Sequence, residues 1–238
     1  MSVAIRINGA ELEPDPSGAL WWPERATLIV ADLHFEKGSS YAPSGRLLPP
    51  YDTTETLVRL AGIIARLAPA RIVCLGDSLH DGDAVARIAA DDRARLAALM
   101  AGRDWIWIEG NHDPAPHGLG GRVLAEWIEG PLLFRHAARI AAQASRGRKA
   151  QPVAAGEISG HYHPRAGVNW RGRTVTGRCF VHDGARLVLP AFGAYTGGLD
   201  VGDPAIRSLF PRGFRIDLIG HERLHRFDSR VLFGARDG

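Results

Sequence analysis

Three short apolar runs, ATLIVADLH (Ala26 to His34), RIVCLGDSLHDG (Arg71 to Gly82) and WIWIEGNHD (Trp105 to Asp113), each open into a cluster of Asp, Asn, His and Gly. The stretches between them, TTETLVRLAGIIARLAP (Thr53 to Pro69) and DAVARIAADDRARLAALMAG (Asp83 to Gly102), carry apolar residues at helical spacing and end in Pro or Gly. Strand, helix, strand, helix, strand is the pattern of parallel strands joined by right-handed crossovers, which collects function at the carboxyl ends of the strands. The polar clusters fall at those ends.

After Gly130 the segments become shorter and β-rich: PLLFRH, EISGHYH and GRTVTGRCFVHDGARLVLP. Gly184, in the polar link HDGA between two apolar runs, marks a hairpin. The expected fold is α/β: two mixed β-sheets packed together and flanked by helices, an α/β/β/α sandwich. It forms a single domain over residues 1–238, with ASRGRKAQPVAAG (Ala144 to Gly156) as an exposed loop. In EISGHYH, His161 and His163 are two residues apart, and on an extended chain they would point to one face.

Composition excludes several classes. No apolar run approaches the roughly 18 to 20 residues of a membrane helix, and the first residues lack the apolar centre of a signal peptide. A protein of the cell interior, cytoplasmic and without a membrane partner, is expected. Cys74 and Cys179 form no C-x-x-C pair, which argues against a disulfide framework or a thiolate metal site. The net charge of +3 and pI near 9.2 permit a phosphate-bearing or nucleic-acid partner without requiring one.

Seven of the ten histidines lie between His34 and His163. In order, the chain shows Asp32-Leu33-His34, Gly76-Asp77, Gly110-Asn111-His112-Asp113, His136 and Gly160-His161-Tyr162-His163. This series resembles the calcineurin-like metallophosphoesterase signature D-x-H, G-D, G-N-H-D/E, H, G-H-x-H. The chemistry behind the pattern is phosphodiester hydrolysis, in which a hydroxide held between two divalent cations attacks phosphorus. The resemblance implies that Asp77 bridges the two cations. It assigns Asp32, His34 and His163 to the first metal and Asn111, His136 and His161 to the second. Oxygen and nitrogen donors without thiolate suit manganese (Mn), iron (Fe) or zinc (Zn). By the same resemblance His112 is the general acid for the leaving oxygen. Asp113 either orients His112 or satisfies loop amides.

GDSLHDG departs from the protein-phosphatase pattern G-D-x-x-D-R-G and is similar to the G-D-x-x-H form of SbcD-type repair nucleases, in which the histidine equivalent to His80 handles the scissile phosphate. LLPPYDTTETLVRL, GEISGHYHPRAG and LVLPAFGAYTGGLDV together resemble the DNA-ligase-associated metallophosphoesterases, bacterial proteins encoded beside a DNA ligase and a helicase. That family implies a manganese-dependent endonuclease acting on single-stranded DNA in repair. RHAAR departs from the family's acidic residue and proline after the histidine, which bears on the loop after His136.

Candidates for substrate contact are Arg165, Arg148 and His117, within a wider basic set of Arg146, Lys149, Arg171 and Arg173 whose alternative is a solvated surface. Trp21 and Trp22 either stack bases or pack inside. The segment Ala191 to Gly198 is expected to close the site edge. The competing function is a small-molecule nucleotide phosphodiesterase or pyrophosphatase with the same ligands, and a non-catalytic scaffold is disfavoured because every ligand and His112 are present.

Overall fold

The computed structural model describes residues 4–41, 49, 51–114, 116–139, 155–170 and 173–233. The first sheet runs in chain order: β1 (Ile5–Ile7), β2 (Ala10–Pro14), β3 (Leu20–Trp22), β4 (Thr27–Val30), β5 (Arg71–Leu75), β6 (Asp104–Ile108) and β7 (Arg122–Leu124). Pairing is antiparallel up to β4 and parallel from β4 to β7. The three runs singled out in the sequence are thus the adjacent parallel strands β4, β5 and β6.

The second sheet contains β8 (Trp127–Glu129), β9 (Leu132–Arg135), β10 (Gly156–Ser159), β11 (Arg165–Trp170), β12 (Arg173–His182), β13 (Arg186–Val188), β14 (Arg215–Ile219) and β15 (Leu224–Asp228). Its order is β15-β14-β12-β13-β10-β9-β8, with β11 on β12. β10 is parallel to both neighbours. Gly184, with φ of 91°, turns the chain between β12 and β13, as its HDGA setting predicts.

Helices are α1 (Lys37–Ser40), α2 (Asp52–Leu67), α3 (Ala84–Arg87), α4 (Ala90–Met100), α5 (Pro204–Arg207) and α6 (Ser229–Phe233). The helical stretch read from Asp83 to Gly102 is broken. Ile88 is extended (φ −56°, ψ 124°) and turns inward to bury its side chain, and the Arg93 guanidinium, donating to the Ile88 carbonyl at 3.1 Å, ties the two pieces together. α2 ends where Ala68 turns left-handed before Pro69.

Strand alternation sorts the core. Ile29, Val73 and Ile106 face the second sheet and meet Phe134, Ile158, Phe180 and Leu187. Leu28, Ile72 and Trp105 face outward onto Leu57, Leu60, Ile63 and Ile64, which α2 presents at helical spacing. Burying each such side chain contributes roughly 1.5 to 3 kcal/mol. The layer outside the second sheet is thin: Ile206 of α5, with Leu209, Phe210 and Phe214, covers Cys179, Val181 and Ile216. Trp22 is fully buried and packs on Phe134 with ring centres 6.2 Å apart, so it is a core residue, and Trp21 packs partly on the α2 side. No helix among the described residues is long and apolar enough to cross a membrane.

Candidate metal centre

Where β4, β5 and β10 end, the backbone turns left-handed at successive candidate ligands: Asp32 (φ 54°), His34 (47°), Asp77 (46°), His161 (72°) and His163 (45°). Non-glycine residues in this region cost of order 1 to 3 kcal/mol each, and they persist where their surroundings fix them. Here the loops fix one another. Asp32 N donates to Gly76 O (3.2 Å), His34 N to Asp77 O (2.9 Å), Gly160 N to His136 O (2.9 Å) and His161 N to the Asp32 carboxylate (2.9 Å). The glycines of the blocks are places of close approach: a Cβ on Gly160 would lie 2.6 Å from Asp32 Oδ2, and one on Gly110 would collide with the Asp77 backbone nitrogen.

The extended geometry expected of His161 and His163 is not what the loop adopts. β10 stops at Ser159, both histidines are left-handed, and their rings go to different clusters. The cause is the bond from His161 N to Asp32, which bends the chain as it leaves the strand.

Two groups of potential ligands result. Asp32, His34 and His163 form one, and Asp77, His136 and His161 the other, with the donor atoms of each group within 4.8 Å of one another. Asp77 Oδ2 lies between them, 3.4 Å from His136 Nε2 and 4.0 Å from His34 Nε2. The Asn111 amide is 3.3 Å from His161 Nδ1 at the exposed edge of the second group, where rotation of the amide presents its oxygen.

This donor set fits divalent cations. His136 Nδ1 donates to Leu75 O (2.9 Å), so Nε2 is the ring nitrogen that faces Asp77 and His161. His34 Nε2 and His163 Nε2 face each other at 3.4 Å, and His136 Nε2 and His161 Nδ1 at 3.0 Å, so each group brings two ring nitrogens together, as the ligands of one cation must be. Charge in the pocket is already polarised. Burial pulls His34 down to about 3, with His163 repulsion adding to it and the attraction of Asp32 opposing it. For His136 burial is outweighed by its bond to Asp77 and by the charge of Asp32, and its pKa rises to about 9. Asp77 is likewise held well below the usual carboxylate range: burial opposes this, but the His136 bond and the His112 backbone N–H outweigh it.

At the rim, His112 is exposed. Its Nδ1 donates to the His80 carbonyl at 2.6 Å, and its ring stacks on His80 with centres 5.2 Å apart and planes inclined by 22°. Asp113 takes the amide role rather than orienting His112: Oδ2 accepts from Ser78 N (2.8 Å) and Leu79 N (3.2 Å), and Oδ1 from Gly110 N (3.0 Å). Burial pushes Asp113 up to about 6 in spite of those bonds.

The family model for the calcineurin-like phosphoesterase domain matches residues 26–222. The chain belongs to the calcineurin-like phosphoesterases. It is therefore a metal-dependent hydrolase of phosphate esters. Among solved structures it is similar to the nuclease MPE of Pseudomonas putida, at 28% identity and a TM-score of 0.69 over 95% of this chain and 100% of that one. A second match is the phosphoesterase Yfce of E. coli, at 13% identity and a TM-score of 0.43 over 84% of this chain and 97% of that one. No curated protein matches the chain.

The remaining candidates of this phosphoesterase are distributed as follows. Arg165 opens β11, two residues past His163. His117 packs edge-to-face on Trp107, ring centres 4.9 Å apart, and accepts from Leu119 N at 3.4 Å. Arg146, Arg148, Lys149 and Arg171 lie outside the described residues, as does most of the loop predicted from Ala144 to Gly156. The Ala191 to Gly198 segment does reach the site: Gly193 N donates to Asp32 O (3.1 Å), and Gly198 lies so close to His163 O that a Cβ would collide with it. Sequence reasoning missed Lys37, whose positive charge lies near enough to His34 and His80 to disfavour a proton on either. Its place three residues after His34 was the available signal.

Proposed function

We propose that this phosphoesterase is a single-strand DNA endonuclease of DNA repair, cytoplasmic, with Mn as its working metal and a DNA ligase and helicase as its functional associates. The observation that carries the reading is the paired ligand groups on either side of Asp77 beneath an exposed rim formed by Asn111 and His112. An open rim suits a polymer passing over the site. The full-length likeness to a protein named as a nuclease supports it, and buried free Cys74 and Cys179 fit a reducing compartment.

Asp32, His34 and His163 would hold one cation and Asn111, His136 and His161 the other, with Asp77 between. Bound there, the pair supplies Lewis acidity at phosphorus and lowers the pKa of water. The chain's own residues do the rest. Because His112 Nδ1 is committed to the His80 carbonyl, Nε2 is the nitrogen that gives its proton to the leaving oxygen. His80, stacked against His112, is set to contact the scissile phosphate. The strained loops hold these groups in place before substrate arrives.

The test is a covalently closed single-stranded DNA circle incubated with enzyme and Mn. It should be linearised and then fragmented, faster than duplex of the same sequence and more slowly as salt rises. A circle that survives while small phosphodiesters are consumed would replace this reading with a small-molecule phosphodiesterase.

A further inference from the structure

Beside the metal loops lies a cleft of about 550 Å3 lined by Arg59, Arg165 and Arg178, with Gly193, Ala194 and Thr196 along one wall. That wall is shared with the site, since Gly193 N bonds the Asp32 carbonyl and Arg165 follows His163 by two residues.

Arg165 and Arg178 are register partners in the antiparallel β11–β12 pair. Directly opposed side chains share a face, and like charges there destabilise the ladder. Arg59 approaches from α2, and Arg178 feels the positive charge of both other arginines. Burial first, then that repulsion, pulls its guanidinium down to about 10. Two consecutive carbonyls aim the pair: Arg178 Nη1 donates to Ala191 O (2.7 Å) and Arg59 Nη1 to Phe192 O (2.9 Å). A guanidinium carries five N–H groups, so both keep donors for a ligand. The carboxylate at the cleft is Glu55, largely exposed and 3.7 Å from Arg59. Arg165 has no carboxylate within ion-pair distance among the described residues. Three forks against one exposed carboxylate leave a positive, pre-aimed concavity, and planar guanidinium forks match phosphate oxygens.

We propose that Arg59, Arg165 and Arg178 form a second anion subsite, which grips a backbone phosphate of the same strand flanking the one cut at the metal centre. The subsite rests on the nucleic-acid reading above. It gives that reading a means to prefer polymers over single phosphodiesters.

The experiment compares two substrates in Mn: a single-stranded oligonucleotide, and bis(4-nitrophenyl) phosphate, whose lone phosphate cannot fill a second position. In Arg165→Gln and in Arg178→Gln, the ratio of kcat/KM for oligonucleotide to that for the small diester should fall about tenfold. The slope of log kcat/KM against log salt for the oligonucleotide should flatten by about 1. Arg165→Lys should recover part of the ratio. Among the described residues the Arg165 side chain bonds no carbonyl, so its variants keep the test valid if Arg178→Gln disturbs the Ala191–Phe192 segment. An unchanged ratio and slope, with both activities falling together or neither falling, overturns the subsite and leaves the nuclease reading intact. A wild-type enzyme that hydrolyses the small diester and no oligonucleotide overturns the strand reading itself, before any variant is made.

Discussion

In the proposed mechanism one hydrogen bond decides which nitrogen of His112 acts. With Nδ1 donating to the His80 carbonyl at 2.6 Å, proton traffic is confined to Nε2. His112→Ala should keep both cations yet lose about 10²-fold or more on an alkoxide leaving group, and distinctly less on nitrophenolate, which leaves with little protonation. Parallel kinetics on an alkyl and a nitrophenyl ester check this, and equal losses would remove the general-acid role. At this scale the sequence was informative about identity and poor about geometry. D-x-H, G-D and G-H-x-H could be read as blocks through their resemblance to the calcineurin-like signature. The left-handed φ of five candidate ligands could not, because it is imposed by bonds such as His34 N to Asp77 O between segments some 40 residues apart. Asp113 is similar: its alternatives were written in the sequence, and only the Ser78 and Leu79 amides decide between them.

Among the elements, β4, β5, β6 and α2 follow from periodicity, since burial on both faces of a parallel strand leaves an unbroken apolar run and an outer helix repeats at 3.6. The break at Ile88 was hidden because a helix kinked by tertiary burial keeps helical spacing on either side. In the second sheet β9, β10, β12 and β13 were legible as β, but β8, β11, β14 and β15 were not, and the pairing of Arg165 with Arg178 depends on a register that spacing does not encode. β14 and β15 carry a separate prediction. Asp217, buried in β14, accepts from Arg226 of β15 at 2.6 and 2.7 Å and faces His182 at 3.6 Å. Burial would raise its pKa, but the Arg226 and His182 contacts outweigh burial and lower it. A carboxylate depressed in the folded state contributes stability above its unfolded pKa of about 3.9, and that contribution is lost as pH falls through the folded value. Asp217→Asn should therefore cost about 3 kcal/mol at pH 7 by removing the buried charge to which Arg226 donates. The difference from wild type should narrow in urea titrations near pH 3. A gap of the same size at both pH values would refute the assignment.

For the molecule as a whole, each candidate ligand group draws on both sheets. Asp32 and His34 follow β4 and Asp77 follows β5, whereas His136, His161 and His163 follow β9 and β10. The centre exists only when the two sheets pack through Ile29, Val73, Phe134 and Ile158. Cations that bind the assembled site and not the open chain stabilise the folded state by mass action. Asp77 stands between the two candidate ligand groups, and metal stoichiometry measures whether it would serve a cation in each. Apo protein titrated with Mn and analysed for bound metal should take up two equivalents per chain. Asp77→Ala, folded by circular dichroism, should retain one or fewer and lose phosphodiester hydrolysis. A wild type that binds one equivalent, or an Asp77→Ala protein that still holds two, would rule out a shared Asp77.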